Sequence, residues 1–102
     1  EFAIATCENA VIQSPTIIGA QAANELLNIA NIKASFVLTT YNGKIYISAR
    51  AIDEVNVQVI MERLGGGGHI NIAGAQFGHT DMGRALYDLH TVIDDMIEQG
   101  DL

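Results

Sequence analysis

The stretch Lys33–Arg50, KASFVLTTYNGKIYISAR, decides the fold. Asn42-Gly43 at its centre is the preferred dipeptide for a two-residue hairpin turn, because both turn positions need positive φ. Pairing Tyr41 with Lys44 then sets the register on either side. Side chains alternate along a strand, so Phe36, Leu38, Ile45, Ile47 and Ala49 share one face, which must be the core. Ser35, Val37, Thr39, Tyr46, Ser48 and Arg50 share the other. Ser48 and Arg50 therefore project together at the end of the second strand, with Ser35 opposite Arg50. Two readings of that cluster stand: an arginine solvated on a polar face, or a guanidinium fork for phosphate with hydroxyls beside it.

Downstream, Asn56 is a good helix N-cap, and Val57, Ile60, Met61 and Leu64 mark one apolar helix face. That pattern ends at Gly65-Gly66-Gly67-Gly68-His69. Four consecutive glycines are costly to order, and what they offer is positive φ and a backbone that a ligand can approach closely. Successive N–H groups in such a loop can converge on an anion, with His69 adding a side-chain donor or acceptor. The plainer alternative is a helix C-cap followed by a flexible connector. Ala73-Gly74-Ala75 follows so soon that a linker is disfavoured. A short helical turn after His69 and a brief strand at Ala75-Gln76-Phe77 are expected. Thr80 or Asp81 then caps a last helix that buries Met82, Leu86, Leu89, Ile93 and Ile97. His79 and His90 have no partners at metal-ligand spacing, and Asp94, Asp95 and Glu98 form a solvated helix face.

Upstream, Ser14-Pro15 reads as N-cap and first helical residue of a helix to about Ala30, with Ile18, Ala22, Leu26 and Ile29 on its buried side and Asn31 as a stop. Phe2-Ala3-Ile4-Ala5-Thr6-Cys7 is apolar on both faces, as a strand covered on both sides would be. The lone Cys7 in that run allows no internal disulfide and is expected to be buried and inert. With 102 residues, 49% hydrophobic and 17% charged, the chain reads as one folded domain, residues 1–102, with no run long enough to span a membrane. The absence of an initiator Met suggests a C-terminal piece of a larger protein. The net charge of −7 argues against tracking long nucleic acid, so a phosphate ligand needs a focused local site. The expected fold class is α/β (α+β): a small mixed sheet containing a hairpin, packed against about three helices.

Taken together, Ala34-Ser35-Phe36-Val37, Ile47-Ser48-Ala49-Arg50 and Asn56–Leu64 running into GGGGH resemble the C-terminal associated domain of the DHH-family phosphoesterases. The resemblance covers essentially the whole chain, and the glycine–histidine loop with the NVQVIMERL before it is its specific part. The three residues separating His69 from Ala73, with Gln76 following, look most like the cyclic-di-AMP-hydrolysing branch of that family. Ala51 stands where the family usually has serine, removing a hydroxyl next to Arg50. Gly74 replaces a usual alanine, and Asn24 a usual acidic residue.

The resemblance implies a domain that closes over a separate DHH domain carrying two manganese ions, none of them bound by this chain. Gly65, Gly66, Gly67, Gly68, His69 and Arg50, with Ser48 as a further candidate, would then hold substrate phosphates. The partners implied are a cyclic or linear adenine dinucleotide, the DHH domain of the same chain and a second copy in a homodimer. The domain would be cytoplasmic without touching the membrane itself, and the parent protein anchored in the bacterial cell membrane. No catalytic residue is expected in this chain, because a two-metal site needs bridging carboxylates and the three histidines are too dispersed to build one. The alternatives are a non-catalytic module for RNA contact or dimerisation, as at the end of alanyl-tRNA synthetases, the same domain from a DHH-family oligoribonuclease or exonuclease, and a purely structural domain with a glycine-rich turn.

Overall fold

The hairpin forms in the register that its turn dictates. In the computed structural model, which describes residues 2–7, 15–29, 31–52, 55–78 and 80–100, β2 (Ala34–Tyr41) pairs antiparallel with β3 (Lys44–Ala51). Tyr41 stands opposite Lys44 and Ser35 opposite Arg50, with no bulge between. Asn42 and Gly43 take φ of 52° and 74°, the two positive values a tight turn of this hand requires.

Around this pair a mixed sheet of five strands assembles in the order β1-β2-β3-β5-β4, with three helices. β1 (Phe2–Cys7) runs parallel to β2 and reaches it through α1 (Pro15–Leu27). After β3 come α2 (Val57–Arg63), the two-residue β4 (Gly67–Gly68), β5 (Ile72–Phe77) and α3 (Met82–Glu98). The helical turn expected after His69 is absent. Ile70-Asn71 instead makes a tight reversal in which the His69 N–H donates to the Ile72 carbonyl at 2.6 Å. The brief strand expected at 75–77 is twice as long and lies inside the sheet, between β3 and β4.

Helices α2 and α3 cover the face bearing Phe36, Leu38, Ile45, Ile47 and Ala49, and with Val57, Ile60, Met61, Leu89 and Met96 they form the main core. Asn56 caps α2, its side-chain oxygen accepting from the Val59 N–H at 3.2 Å, and Asp81 caps α3 by accepting from Arg84 N–H at 2.7 Å. Of the expected stripe of α3, Leu89 and Ile93 are buried and Met82 and Leu86 pack partly buried against the core, but Ala85 and Met96 complete the buried side in place of Ile97, which is 52% exposed. Asp95 is not simply solvated: it pairs with Arg63 at 2.7 Å and ties α3 to the end of α2. Both groups are more than a third exposed, so the pair contributes at most about 1 kcal/mol.

The second face of the hairpin is not left to solvent. Helix α1 lies over it, and Ser35, Val37, Thr39 and Ser48 are all buried. The Ser35 hydroxyl donates to the Ala23 carbonyl at 2.7 Å, which binds α1 to the sheet rather than serving Arg50. Contact runs along Gly19 and Ala23, not along the longer Ile18 and Ile29, which are 38% and 55% exposed. A Cβ at Gly19 would stand 2.6 Å from the Ser48 hydroxyl, so only the smallest residue lets the helix come this close. Helix α1 ends at Leu27, and Asn31 takes φ of 71° as the chain turns into β2. β1 is an edge strand and only partly buried, so Cys7 is half-buried, not enclosed. The expected cap Ser14 and His79 lie outside the described residues.

The buried side of α3 gives a direct test. Leu89→Ala should cost about 2–5 kcal/mol, as truncation of a fully buried leucine does, whereas Ile97→Ala should stay within about 0.5 kcal/mol. Chemical denaturation of both variants checks this, and equal losses would put Ile97 in the core.

Candidate functional site

The glycine loop is built by three separate constraints. Gly65 terminates α2: it has φ of 90°, its N–H donates to the Glu62 carbonyl at 3.1 Å, and the Gly66 N–H donates to the Met61 carbonyl at 2.7 Å. Those two bonds, six-to-one and five-to-two, are the Schellman ending of a helix. Gly66 and Gly68 then lie flat on β5, where a Cβ would overlap the backbone of Gly74 and Ala75 in the first case and of Ile72 and Ala73 in the second. Gly67 differs from both. It pairs with Gly74, needs no positive φ, and a Cβ there would meet nothing within 4 Å.

This arrangement corrects the expectation of a nest of converging amides. The N–H groups of Gly65, Gly66 and His69 are spent on the fold. Gly67 and His69 face β5 as hydrogen-bonded partners of Gly74 and Ile72, so the alternation of an antiparallel ladder turns the Gly68 N–H toward the open sheet edge. What the loop provides is a close-lying, side-chain-free floor, not a ring of donors.

That floor lies in a groove of about 590 Å³ on the α1 side of the sheet. Tyr46, Ser48 and Arg50 of β3 line it along one side, with Ile72, Gly74 and Gln76 of β5 along its base and the glycine loop and His69 beyond. All the residues proposed from the sequence are thus brought together, although Ser48 is only 8% exposed and lies against α1. The sequence reading did not single out Tyr46, Ile72, Gly74 or Gln76 as site residues. The two-residue alternation of 72–77, with Ala73 and Ala75 inward, was the available signal, but it is too short and too small-residue-rich to be read as a central strand.

Among the described residues Arg50 is the only one of formal charge lining the groove. Burial lowers its pKa from the ordinary guanidinium value, because removal from water disfavours the charged form. One N–H donates to the Ala49 carbonyl at 2.9 Å. Among the described residues no carboxylate pairs with it: the ion pairs there are Arg63–Asp95 and Arg84–Asp88. His69 is exposed across β5 from it, at the end of β4, and lines the same groove. Ala51 faces the other way, into the main core, so the hydroxyl absent at that position would not have stood beside Arg50. Among the described residues no cluster of histidine, cysteine or carboxylate side chains could hold a metal ion.

The sequence of residues 11–99 matches the model of the DHHA1 domain. The chain belongs to the DHHA1 domain family. It is 46% identical over 85 residues to the cyclic-di-AMP phosphodiesterase GdpP of Geobacillus thermodenitrificans, covering 82% of this chain and 13% of that protein. It is 45% identical over 80 residues to the cyclic-di-AMP phosphodiesterase PdeA of Listeria monocytogenes, covering 78% of this chain and 12% of that protein. This DHHA1 domain therefore spans about an eighth of the length of those relatives. The C-Ala domain of Aquifex aeolicus alanyl-tRNA synthetase superposes with a TM-score of 0.69 at 18% identity, covering 89% of this chain and 88% of that one, which is a likeness of fold alone. No helix among the described residues is long and apolar enough to cross a membrane.

The two kinds of glycine in this DHHA1 domain separate by substitution. Gly66→Ala should destabilise by about 1–3 kcal/mol, since the added methyl forces the loop off β5. Gly67→Ala should change stability by no more than about 0.5 kcal/mol. Melting temperatures of the two variants decide it, and a large loss at Gly67 would mean that the groove is closed at that point.

Proposed function

We propose that this DHHA1 domain is the substrate-holding half of a DHH-family phosphodiesterase acting on a cyclic or linear adenine dinucleotide. One observation carries the reading: a chain of net charge −7 places a half-buried arginine, unmatched by any acid among the described residues, in a groove floored by glycine. A desolvated guanidinium without a counter-charge is costly, and a phosphate in the groove offsets that cost with a two-pronged, charge-assisted contact. His69 adds a donor from the end of β4, and the bare floor lets the sugar-phosphate chain approach the backbone. The names of the relatives at about 45% identity support the substrate class. An acidic surface favours a small ligand over a long polyanion, which counts against an RNA-binding module.

In this reading the hydrolytic centre belongs to a DHH domain of the same parent chain. A two-manganese site on that domain would supply the activated water and stabilise the leaving oxygen. The residues of this chain bind the phosphate and orient it toward that centre. The parent is anchored in the bacterial membrane with this domain on the cytoplasmic side.

Two expectations follow from that division of labour. His69→Gln and Arg50→Lys in the full-length protein should each keep the melting temperature and weaken cyclic-di-AMP binding by about 1.5–3 kcal/mol, the worth of a hydrogen bond to a charged group. Calorimetry that finds both variants binding like the parent protein removes the site. The isolated 102-residue chain, incubated with cyclic-di-AMP and manganese, should release no linear product by chromatography. Turnover that survives repurification and scales with protein would overturn the two-domain reading.

A further inference from the structure

The register of β3, β5 and β4 sorts the groove-facing side chains into three parallel rungs. The first is Arg50–Ile72–His69, the second Ser48–Gly74–Gly67, and the third Tyr46–Gln76. The first carries the cation. The second carries no side chain beyond the Ser48 hydroxyl, and the space in front of Gly67 is open. The third carries a phenol and an exposed carboxamide, both lining the groove. Four residues of strand separate the first rung from the third, about 13 Å between backbones. With side chains leaning in from both ends, that interval suits one nucleotide laid along the strands, its phosphate at Arg50 and its base over the glycines.

We infer that Gln76, flanked by Tyr46, reads the edge of that base and selects adenine over guanine; this rests on the phosphate-binding reading of Arg50 given above. A carboxamide offers one donor and one acceptor side by side. Adenine presents the complementary pair at its N6 amino group and N7, whereas guanine presents two acceptors, O6 and N7. Against guanine the amide nitrogen of Gln76 finds a partner, but its oxygen faces a second acceptor across a partly desolvated groove. The flat middle rung keeps the base in the plane of this contact, because neither Gly67 nor Gly74 has a side chain to tilt it. Gln76 is a specificity-determining residue in this account, not a catalytic one. Its side chain is exposed and lies outside the main core, so it can be changed without disturbing the fold.

The test is calorimetric titration of the full-length protein with cyclic-di-AMP and with cyclic-di-GMP, for the parent sequence and for Gln76→Ala, Gln76→Glu and Arg50→Lys. Gln76→Ala should lower cyclic-di-AMP affinity about tenfold, within the range of a good two-bond base contact, and cyclic-di-GMP affinity less than about twofold, so that the preference collapses. Gln76→Glu, which cannot donate to N7, should lose cyclic-di-AMP at least as severely with an unchanged melting temperature. Arg50→Lys should weaken both ligands alike and leave their ratio intact. If Arg50→Lys does so while Gln76→Ala leaves the ratio unchanged, or if the parent sequence shows no preference, the base-reading role is overturned and the phosphate site stands. If neither Arg50→Lys nor Gln76→Ala alters binding of either ligand, the groove is not the binding site and both readings fall.

Discussion

The antiparallel pairing of β3 with β5 is the constraint on which the site depends. It sets Arg50 opposite Ile72 across a separation of more than twenty residues, and it continues past Arg50 through a reciprocal contact in which the Ala51 N–H donates to the Asn71 carbonyl and the Asn71 side chain donates to the Ala51 carbonyl, at 2.9 and 3.0 Å. Without that ladder the glycine loop would have no strand to lie against. A slip of one residue would turn Gln76, Gly74 and Ile72 into the core and drive Ala73 and Ala75 out into the groove.

The ladder holds because each layer behind it is fitted to the sheet. Helix α2 ends where Gly65 reverses the chain, and two backbone bonds close the last turn before the loop drops onto β5. The Ile70 carbonyl accepts from the Val57 N–H at 2.9 Å, so the start of the same helix fastens the far end of the β4–β5 reversal. On the opposite face Gly19 lets α1 settle against Ser48 and Thr39, which fixes the β3 side of the groove. Thr39 is 1% exposed, and its hydroxyl has no hydrogen-bond partner among the described residues, a local cost of that close approach. The groove is thus bounded by elements anchored to the core, and its glycine floor is held by backbone hydrogen bonds without any side chain of its own.

Electrostatics follow from the same placement. The chain is acidic, yet among the described residues no acidic side chain lines the groove, and the two ion pairs there lie on or beside α3, away from Arg50. An isolated guanidinium in a partly desolvated cleft focuses its field there, and the surrounding negative surface repels larger polyanions.

The sequence by itself determined whatever rests on local geometry. Asn42-Gly43 sets the hairpin register and therefore the shared face of Ser48 and Arg50, Asn56 and Asp81 start their helices, and the glycines end α2. These are decided within a few residues by φ preferences, capping bonds and alternation, so they could be read directly. The tertiary structure alone decided which faces are covered and what each glycine does. Ser35, Thr39 and Ser48 look like a solvated polar stripe until α1 is placed over them. The buried stripes of α1 and α3 turn on how closely small residues such as Gly19 and Ala85 let helix and sheet approach. Gly66 and Gly67 are indistinguishable in a string of four, and one packs against backbone while the other opens on the groove only because β5 arrives beneath them from later in the chain. Residues distant in sequence meet through that long-range pairing, and no local preference encodes its register.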